Sequence, residues 1–83
     1  MSQAQEFEER VLRMVERNGL LHQILQNGTI KIFKATFLPA IHVSRAARPC
    51  RVCITFADGA TQQEPWALLE HVCRNLAAGK KAG

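Results

Sequence analysis

The chain has 83 residues, a formal net charge of +4 and a hydrophobic fraction of 47%. A chain this short predicts a single domain, residues 1–83, because it buries too little surface for two cores. Its apolar runs are far shorter than the roughly 18 to 20 residues that cross a bilayer, and the polar start MSQAQEFEER is unlike a secretory signal. Three cysteines, an odd number, argue against a disulfide framework. We therefore expect a cytoplasmic protein with no membrane partner.

The first predicted element is a helix over about residues 3–17. Apolar residues recur there at helical spacing: Phe7, Val11, Met14 and Val15. Ser2 opens a capping-box pattern with Gln5, and Glu6 and Arg10 are an i,i+4 pair in the favourable order.

Residues 20–26 fit either a short second helix or the first strand of a hairpin. The Asn27-Gly28 pair favours the hairpin, because a two-residue type I′ turn needs positive φ at both central positions. The strand that follows is predicted to run over 29–37 and to end before Pro39. Its apolar positions change parity, which indicates a bulge or burial on both faces.

The rest of the chain alternates in short strands and closes with a helix. Strands are predicted at 41–45, 51–56 and 60–63. The last helix begins at Pro65 and ends near Gly79, followed by a flexible tail over about 79–83. The order predicts an α+β fold, in which a small antiparallel sheet of three to four strands is flanked by an N-terminal and a C-terminal helix packed on one face.

Four soft ligands for zinc occur in the second half of the chain: Cys50, Cys53, His71 and Cys73. Their spacing is unfavourable, because residues i and i+3 of a strand point to opposite faces and residues i and i+2 of a helix lie about 200° apart. A redox Cys-x-x-Cys motif precedes a helix, whereas a strand follows here. We expect no metal site and no cofactor, although the sequence leaves open whether the four residues come together.

Catalytic groups are scattered along the chain. No nucleophile is spaced with a base, no carboxylates pair, and no glycine-rich phosphate loop occurs. The sequence therefore predicts a non-enzymatic binding or regulatory protein.

The positive charge is concentrated in the middle of the chain. Residues 17–57 contain six Lys or Arg residues and no acidic residue. Strand alternation places His42, Ser44 and Arg51 on one sheet face, with Arg45 and Arg48 at the adjoining turn. The predicted site for nucleic acid or another polyanion consists of Lys31, Lys34, His42, Arg45, Arg48 and Arg51. A solvated basic face is the structural alternative.

The other functional interpretation is a protein-docking adaptor or inhibitor that forms a homodimer or binds an acidic protein. Ile30 and Ile32 cannot share a strand face with Phe33 and Phe37, so apolar strand surface is expected to need a partner. Trp66, at the start of the last helix, is the expected interface anchor, and Ile30 and Ile32 are the other predicted interface residues. Of these two interpretations, binding of nucleic acid or another polyanion is the leading prediction, and the protein-docking module is the alternative.

Overall fold

The computed structural model describes residues 3–79. The elements are α1 (Gln3–Arg17), β1 (Leu21–Ile24), β2 (Ile30–Phe33), β3 (Ile41–Arg45), β4 (Arg51–Thr55), β5 (Thr61–Pro65) and α2 (Trp66–Ala77). The strands form one antiparallel sheet in the order β1-β2-β3-β4-β5. The predicted α+β class is confirmed, with five strands where three to four were expected. Ser2 of the capping-box pattern and residues 80–83 of the predicted tail lie outside the described residues.

The two helices pack on one face of the sheet and enclose the core. The sheet contributes six residues that are each at most 1% exposed: Ile30, Ile32, Ile41, Val43, Val52 and Ile54. The helices contribute Phe7, Val11, Met14, Val15, Trp66, Leu69, Val72, Cys73 and Leu76. The apolar stripes that predicted both helices are therefore the faces that they bury. Within residues 3–79, no helix is both long and apolar enough to cross a membrane.

The first hairpin resolves the ambiguity at residues 20–26 in favour of a strand, but its turn is not the predicted two-residue type. Gly28 N donates to Leu25 O at 3.0 Å, and Leu25 N donates to Thr29 O at 2.8 Å. Gly28 has a φ of 85°, whereas Asn27 does not adopt positive φ. Asn27 accepts a hydrogen bond from Thr29 N through Oδ1 at 3.0 Å. The turn therefore needs one left-handed residue, at Gly28, rather than two.

The turn between β4 and β5 repeats this geometry with a different sequence. Gly59 N donates to Phe56 O at 2.9 Å, Phe56 N donates to Ala60 O at 2.8 Å, and Gly59 has a φ of 90°. Asp58 Oδ1 accepts from Ala60 N at 2.9 Å, as Asn27 does from Thr29. Two turns of one design thus close the first and last hairpins of the sheet.

The prediction that β2 runs on to Phe37 is wrong. The strand ends at Phe33, and Leu38 N donates to Ala35 O at 3.0 Å in a turn within the connection to β3. The shift in apolar parity marks the end of the strand rather than a bulge or burial on both faces. Phe37 is 85% exposed in this loop.

Pro65 ends β5 and serves as the N-cap residue of α2, so the helix begins one residue later than predicted. At the other end, Ala78 is the C-cap and its N donates to Arg74 O at 3.0 Å. The absence of a proline N–H is tolerated at this position because the first N–H groups of a helix have no helical acceptor.

Candidate functional site

One face of the sheet is not covered by either helix. Strand register places a row of directly opposed residues across its middle: Gln23, Lys31, His42, Thr55 and Thr61. A shorter row beside it consists of Ser44, Cys53 and Gln63. We call these eight residues the open face. None of them is acidic, and Thr55 Oγ1 lies 3.0 Å from Thr61 Oγ1.

Arg51 lies at the end of the open face, opposite Pro65 in the register between β4 and β5. Its Nη1 donates to Gln63 O at 3.4 Å. Because side chains alternate along a strand, Arg51 shares a face with Cys53, while Val52 between them points into the core. The predicted grouping of His42, Ser44 and Arg51 on one sheet face therefore agrees with the strand register.

A cavity of about 510 Å³ lies at the end of the sheet where β3 turns into β4. Its lining comes from the first turns of α1, from the β3–β4 turn and from the start of α2: Gln3, Glu6, Phe7, Arg10, Arg45, Ala46, Ala47, Arg48, Pro49, Arg51 and Trp66. We call it the arginine cavity. Both helices begin at this end of the sheet, so the partial positive charges of their N-termini lie on the same side.

Trp66 forms the buried base of the arginine cavity. The residue is 8% exposed, and its Nε1 donates to Pro49 O at 3.0 Å. Phe7 packs against it with ring centroids 5.8 Å apart, and Arg10 Cζ lies 4.1 Å from the Trp66 ring centroid. The indole thus ties the β3–β4 turn to α2 and holds Arg10 by a cation–π contact.

The charges around the cavity are strongly unequal. Four arginines line it, Arg10, Arg45, Arg48 and Arg51, against one carboxylate, that of Glu6. Each guanidinium carries five N–H donors in a planar fork that matches the oxygens of phosphate or carboxylate. The cavity can therefore bind a multiply charged anion with two or more bidentate contacts.

The six residues of the predicted polyanion site separate into three groups. Arg45, Arg48 and Arg51 meet at the arginine cavity. Lys31 and His42 are directly opposed on the open face. Lys34 follows the end of β2 at the opposite end of the sheet, where a Cβ added to Gly79 would lie 3.8 Å from its Nζ. Lys34 is therefore remote from the arginines, because β2 begins opposite Val43, near the cavity, and runs away from it.

Arg10 belongs to the cavity but is missing from the site predicted from sequence. From the sequence, Arg10 is interpreted only as the i,i+4 partner of Glu6. The available signal was its spacing from Phe7, since a residue three positions along a helix lies on the same side. That signal became informative only once α1 was placed beside the β3–β4 turn.

The residues expected to form an apolar interface lie inside the protein. Ile30, Ile32 and Trp66 are 1%, 0% and 8% exposed, so the prediction that they offer a docking surface is wrong. The helices cover the face that carries Ile30 and Ile32. Large apolar side chains on the surface are Leu21, Ile24, Phe37 and Leu38, at 50%, 45%, 85% and 39% exposure.

The cysteines occupy three different environments. Cys50 is exposed in the β3–β4 turn, Cys53 lies on the open face, and Cys73 is buried in α2 against the sheet. Burial and, to a smaller extent, the negative charge of Glu70 raise the pKa of the Cys73 thiol to about 11, while Arg17 acts in the opposite direction. His71 Nε2 lies 3.2 Å from Asn75 Nδ2 on the exposed side of α2. Over residues 3–79, no three His, Cys, Asp or Glu residues are grouped closely enough to hold a metal ion.

Comparison with known proteins adds no relative: the chain matches no protein-family model, no curated protein and no solved structure. The arrangement of the arginine cavity and the open face is therefore the basis for assigning a function.

Proposed function

We propose that this protein is a non-enzymatic binding module for nucleic acid, which it holds mainly by phosphate groups. The observation that carries the proposal is the convergence of four arginines on one cavity that contains a single carboxylate. Arginines that neutralise phosphates release counterions from the nucleic acid, and this release drives association at moderate salt.

The open face extends the binding surface beyond the cavity. Arg51 lines the cavity and lies at the end of the open face, and Lys31 and His42 lie in the central row of the sheet. The row supplies hydroxyl and amide groups from Gln23, Thr55 and Thr61, which can contact phosphate or sugar oxygens. A strand of nucleic acid on this surface meets cations and neutral polar groups without a carboxylate.

Base stacking has a limited role in the proposed interaction. Phe33 lies on the same sheet face, half-buried, with Lys31 Nζ 5.4 Å from its ring centroid. Trp66 is buried and its ring is occupied by Arg10. We therefore expect contacts to the backbone to dominate, with weak dependence on base sequence.

The proposal is tested by fluorescence anisotropy with labelled single-stranded DNA, RNA and duplex DNA at about 50 mM salt. We expect micromolar binding whose log–log salt dependence reflects about 0.7 per neutralised phosphate on single strands. Arg48→Ala should weaken binding uniformly across sequences and reduce the slope by about the same 0.7. Absence of binding to all three nucleic acids at micromolar protein would show that the proposed function is wrong.

Arg74→Ala provides a matched control for Arg48→Ala. Arg74 is an exposed arginine on α2, eight residues beyond Trp66 and so about 12 Å along the helix from the cavity. It should retain the affinity and the salt slope of the unchanged protein. Equal losses from Arg74→Ala and Arg48→Ala would indicate attraction by net charge rather than a site.

A second candidate function, association of two copies of the chain, is favoured by the exposed apolar side chains. Leu21, Phe37 and Leu38 lie at the end of the sheet opposite the arginine cavity, beside the β2–β3 loop. Sedimentation of the protein at tens of micromolar is the test, with Phe37→Ala expected to shift a dimer to monomer. A monomer throughout that range would remove this candidate.

A further inference from the structure

The arginine cavity differs from the open face in shape as well as in charge. The open face is a strand surface along which a chain could lie. The cavity is concave, with Trp66 as its base and with α1 and the β3–β4 turn as its walls. Its volume of about 510 Å³ lies within the range of pockets that bind small molecules, roughly 300 to 1,000 Å³. A concave site of this size can hold a compact group such as a phosphate.

Charge favours the same class of group. Four guanidiniums less the carboxylate of Glu6 leave three positive charges at the cavity. A phosphodiester within a chain carries one negative charge, whereas a terminal phosphomonoester carries about 1.5 to 2 at pH 7 and three strong acceptor oxygens. With a third terminal oxygen and a higher charge, the monoester can accept charge-assisted bonds from more of these guanidiniums than a phosphodiester can.

Two of the arginines already have contacts within the protein that limit their freedom. Arg10 lies over the Trp66 ring at 4.1 Å, and Arg51 Nη1 contacts Gln63 O at 3.4 Å. Trp66 is itself fixed by its hydrogen bond to Pro49 O. Guanidiniums that are already positioned lose less conformational freedom on binding, which favours a compact and highly charged ligand over diffuse contact with a chain.

The cavity opens next to the polar surface on which a strand would continue. Along β4, the rows of the open face at Cys53 and Thr55 lie about 7 and 13 Å beyond Arg51, at 3.3 Å per residue. The second of these rows includes His42 and Lys31. A chain whose end occupies the cavity can therefore reach the cations in the centre of the sheet within a few nucleotides.

From shape, charge and continuity we propose that the arginine cavity binds the terminal phosphate of a single-stranded nucleic acid, so that the protein recognises a phosphorylated strand end. This inference rests on the proposed function and assigns the ligand class of the same site.

The test compares ten-nucleotide single strands of one sequence that differ only at their ends. One carries hydroxyl groups at both ends, one a 5′-phosphate and one a 3′-phosphate, each with a fluorophore attached to an internal base. We expect one of the phosphorylated strands to bind about tenfold or more tightly than the hydroxyl strand, as charge-assisted bonds to an additional anion imply. The end that gains affinity identifies the polarity of the bound strand.

Variants locate the preference within the protein. Arg48→Ala and Arg45→Ala should each reduce the ratio between phosphorylated and hydroxyl strands, and Arg48→Lys, which keeps the charge but loses the fork, should restore part of it. Both arginines are exposed, so the substitutions leave the core intact. Lys31→Ala should weaken the binding of all three strands and leave the ratio between phosphorylated and hydroxyl strands unchanged.

The outcomes separate this inference from the proposed function. Equal affinity for all three strands, with the salt dependence described above, overturns recognition of the strand end and leaves the nucleic-acid module standing. Binding of none of the strands overturns both. A preference for a phosphorylated strand that survives Arg45→Ala and Arg48→Ala overturns the assignment to the cavity.

Discussion

The two ends of the sheet place their aromatic and charged residues in opposite ways. At one end, Trp66 is buried at the base of the cavity that four arginines line. At the other end, Phe37 is 85% exposed in the β2–β3 loop, next to Leu38. The difference follows from the position of the helices. Both begin at the cavity end of the sheet, where α1, α2 and the hydrogen-bonded β3–β4 turn enclose Trp66. An aromatic residue near the end of a strand is therefore buried where a helix begins over it and exposed where none does.

The comparison predicts its largest effect for truncation of the two aromatic residues. Trp66→Ala should lower the free energy of unfolding by about 3 to 5 kcal/mol, because it removes a buried ring, its contact with Phe7 and its bond to Pro49. Phe37→Ala should change it by about 0.5 kcal/mol or less. Urea unfolding followed by circular dichroism measures both.

A large loss of unfolding free energy from Phe37→Ala would show that the β2–β3 loop packs on the protein in solution.

Trp66→Phe is the matched control for the Trp66 ring. It keeps most of the apolar volume and removes the Nε1 donor, so a loss of about 1 to 3 kcal/mol is expected from the unpaired Pro49 carbonyl and the smaller ring.

The core between the two ends predicts a dependence of stability on pH. Burial raises the pKa of Cys73 from 9.0 to about 11, so the unfolded chain loses this proton at a lower pH than the folded protein does. Stability should therefore fall as pH rises through the interval from 9 to 11. The loss between about pH 8 and about pH 10.5 is of the order of 2 kcal/mol.

Cys73→Ala isolates this contribution from the titration of lysines. The variant should start with a somewhat lower free energy of unfolding, because a small cavity replaces the sulfur. It should then lose less stability than the unchanged protein over the same rise in pH. Parallel curves for the two proteins would contradict a buried thiol at residue 73.

Much of the scaffold was predictable from sequence because local patterns decide it. The first helix follows from a single apolar stripe, and its predicted limits at 3–17 coincide with Gln3–Arg17. Ile41 and Val43 alternate with His42 and Ser44, which determined the inner and outer faces of β3. Alternation failed in β2, where Ala35 and Phe37 continued a pattern by chance after the strand had ended. Local patterns carry no information on where pairing with the next strand stops.

The candidate site was only partly predictable because it forms between elements distant in sequence. Arg45, Arg48 and Arg51 lie close together in the chain, so their cluster was visible. Arg10 joins them only through the placement of α1, and Lys34 lies at the other end of the sheet because β2 runs away from the cavity. The concave shape depends on the hydrogen bond from Trp66 to Pro49, seventeen residues apart, which no spacing rule indicates.

The two glycine turns allow the ends to be compared with the turn chemistry held constant. Gly28 lies at the end of the sheet that carries the arginine cavity, and Gly59 lies at the opposite end, with φ of 85° and 90°. A Cβ added at either position would meet nothing within 4 Å, so only backbone strain opposes it. Gly28→Ala and Gly59→Ala should each cost about 1 to 2 kcal/mol.

Thermal or urea unfolding of the two glycine variants gives the comparison directly. Similar losses would show that the ends differ in side chains and not in turn design. A much smaller loss at Gly28 would mean that the first hairpin relaxes to another turn, as an edge strand with four exposed residues could permit.

The smallest expected effect concerns the cation that lies over Trp66. Arg10→Ala should lower the free energy of unfolding by about 0.5 to 1 kcal/mol, because it removes a cation–π contact at an exposed site. Arg13→Ala, an exposed arginine one turn further along α1, is the matched control and should stay within about 0.5 kcal/mol of the unchanged protein. The two variants should differ more in binding than in stability. Arg10 lines the cavity, so Arg10→Ala should weaken binding of a phosphorylated strand end, whereas Arg13→Ala should retain it. If Arg10→Ala alters stability but not this preference, Arg10 supports the Trp66 ring without contacting the ligand, and the preference must come from the three arginines of the β3–β4 region.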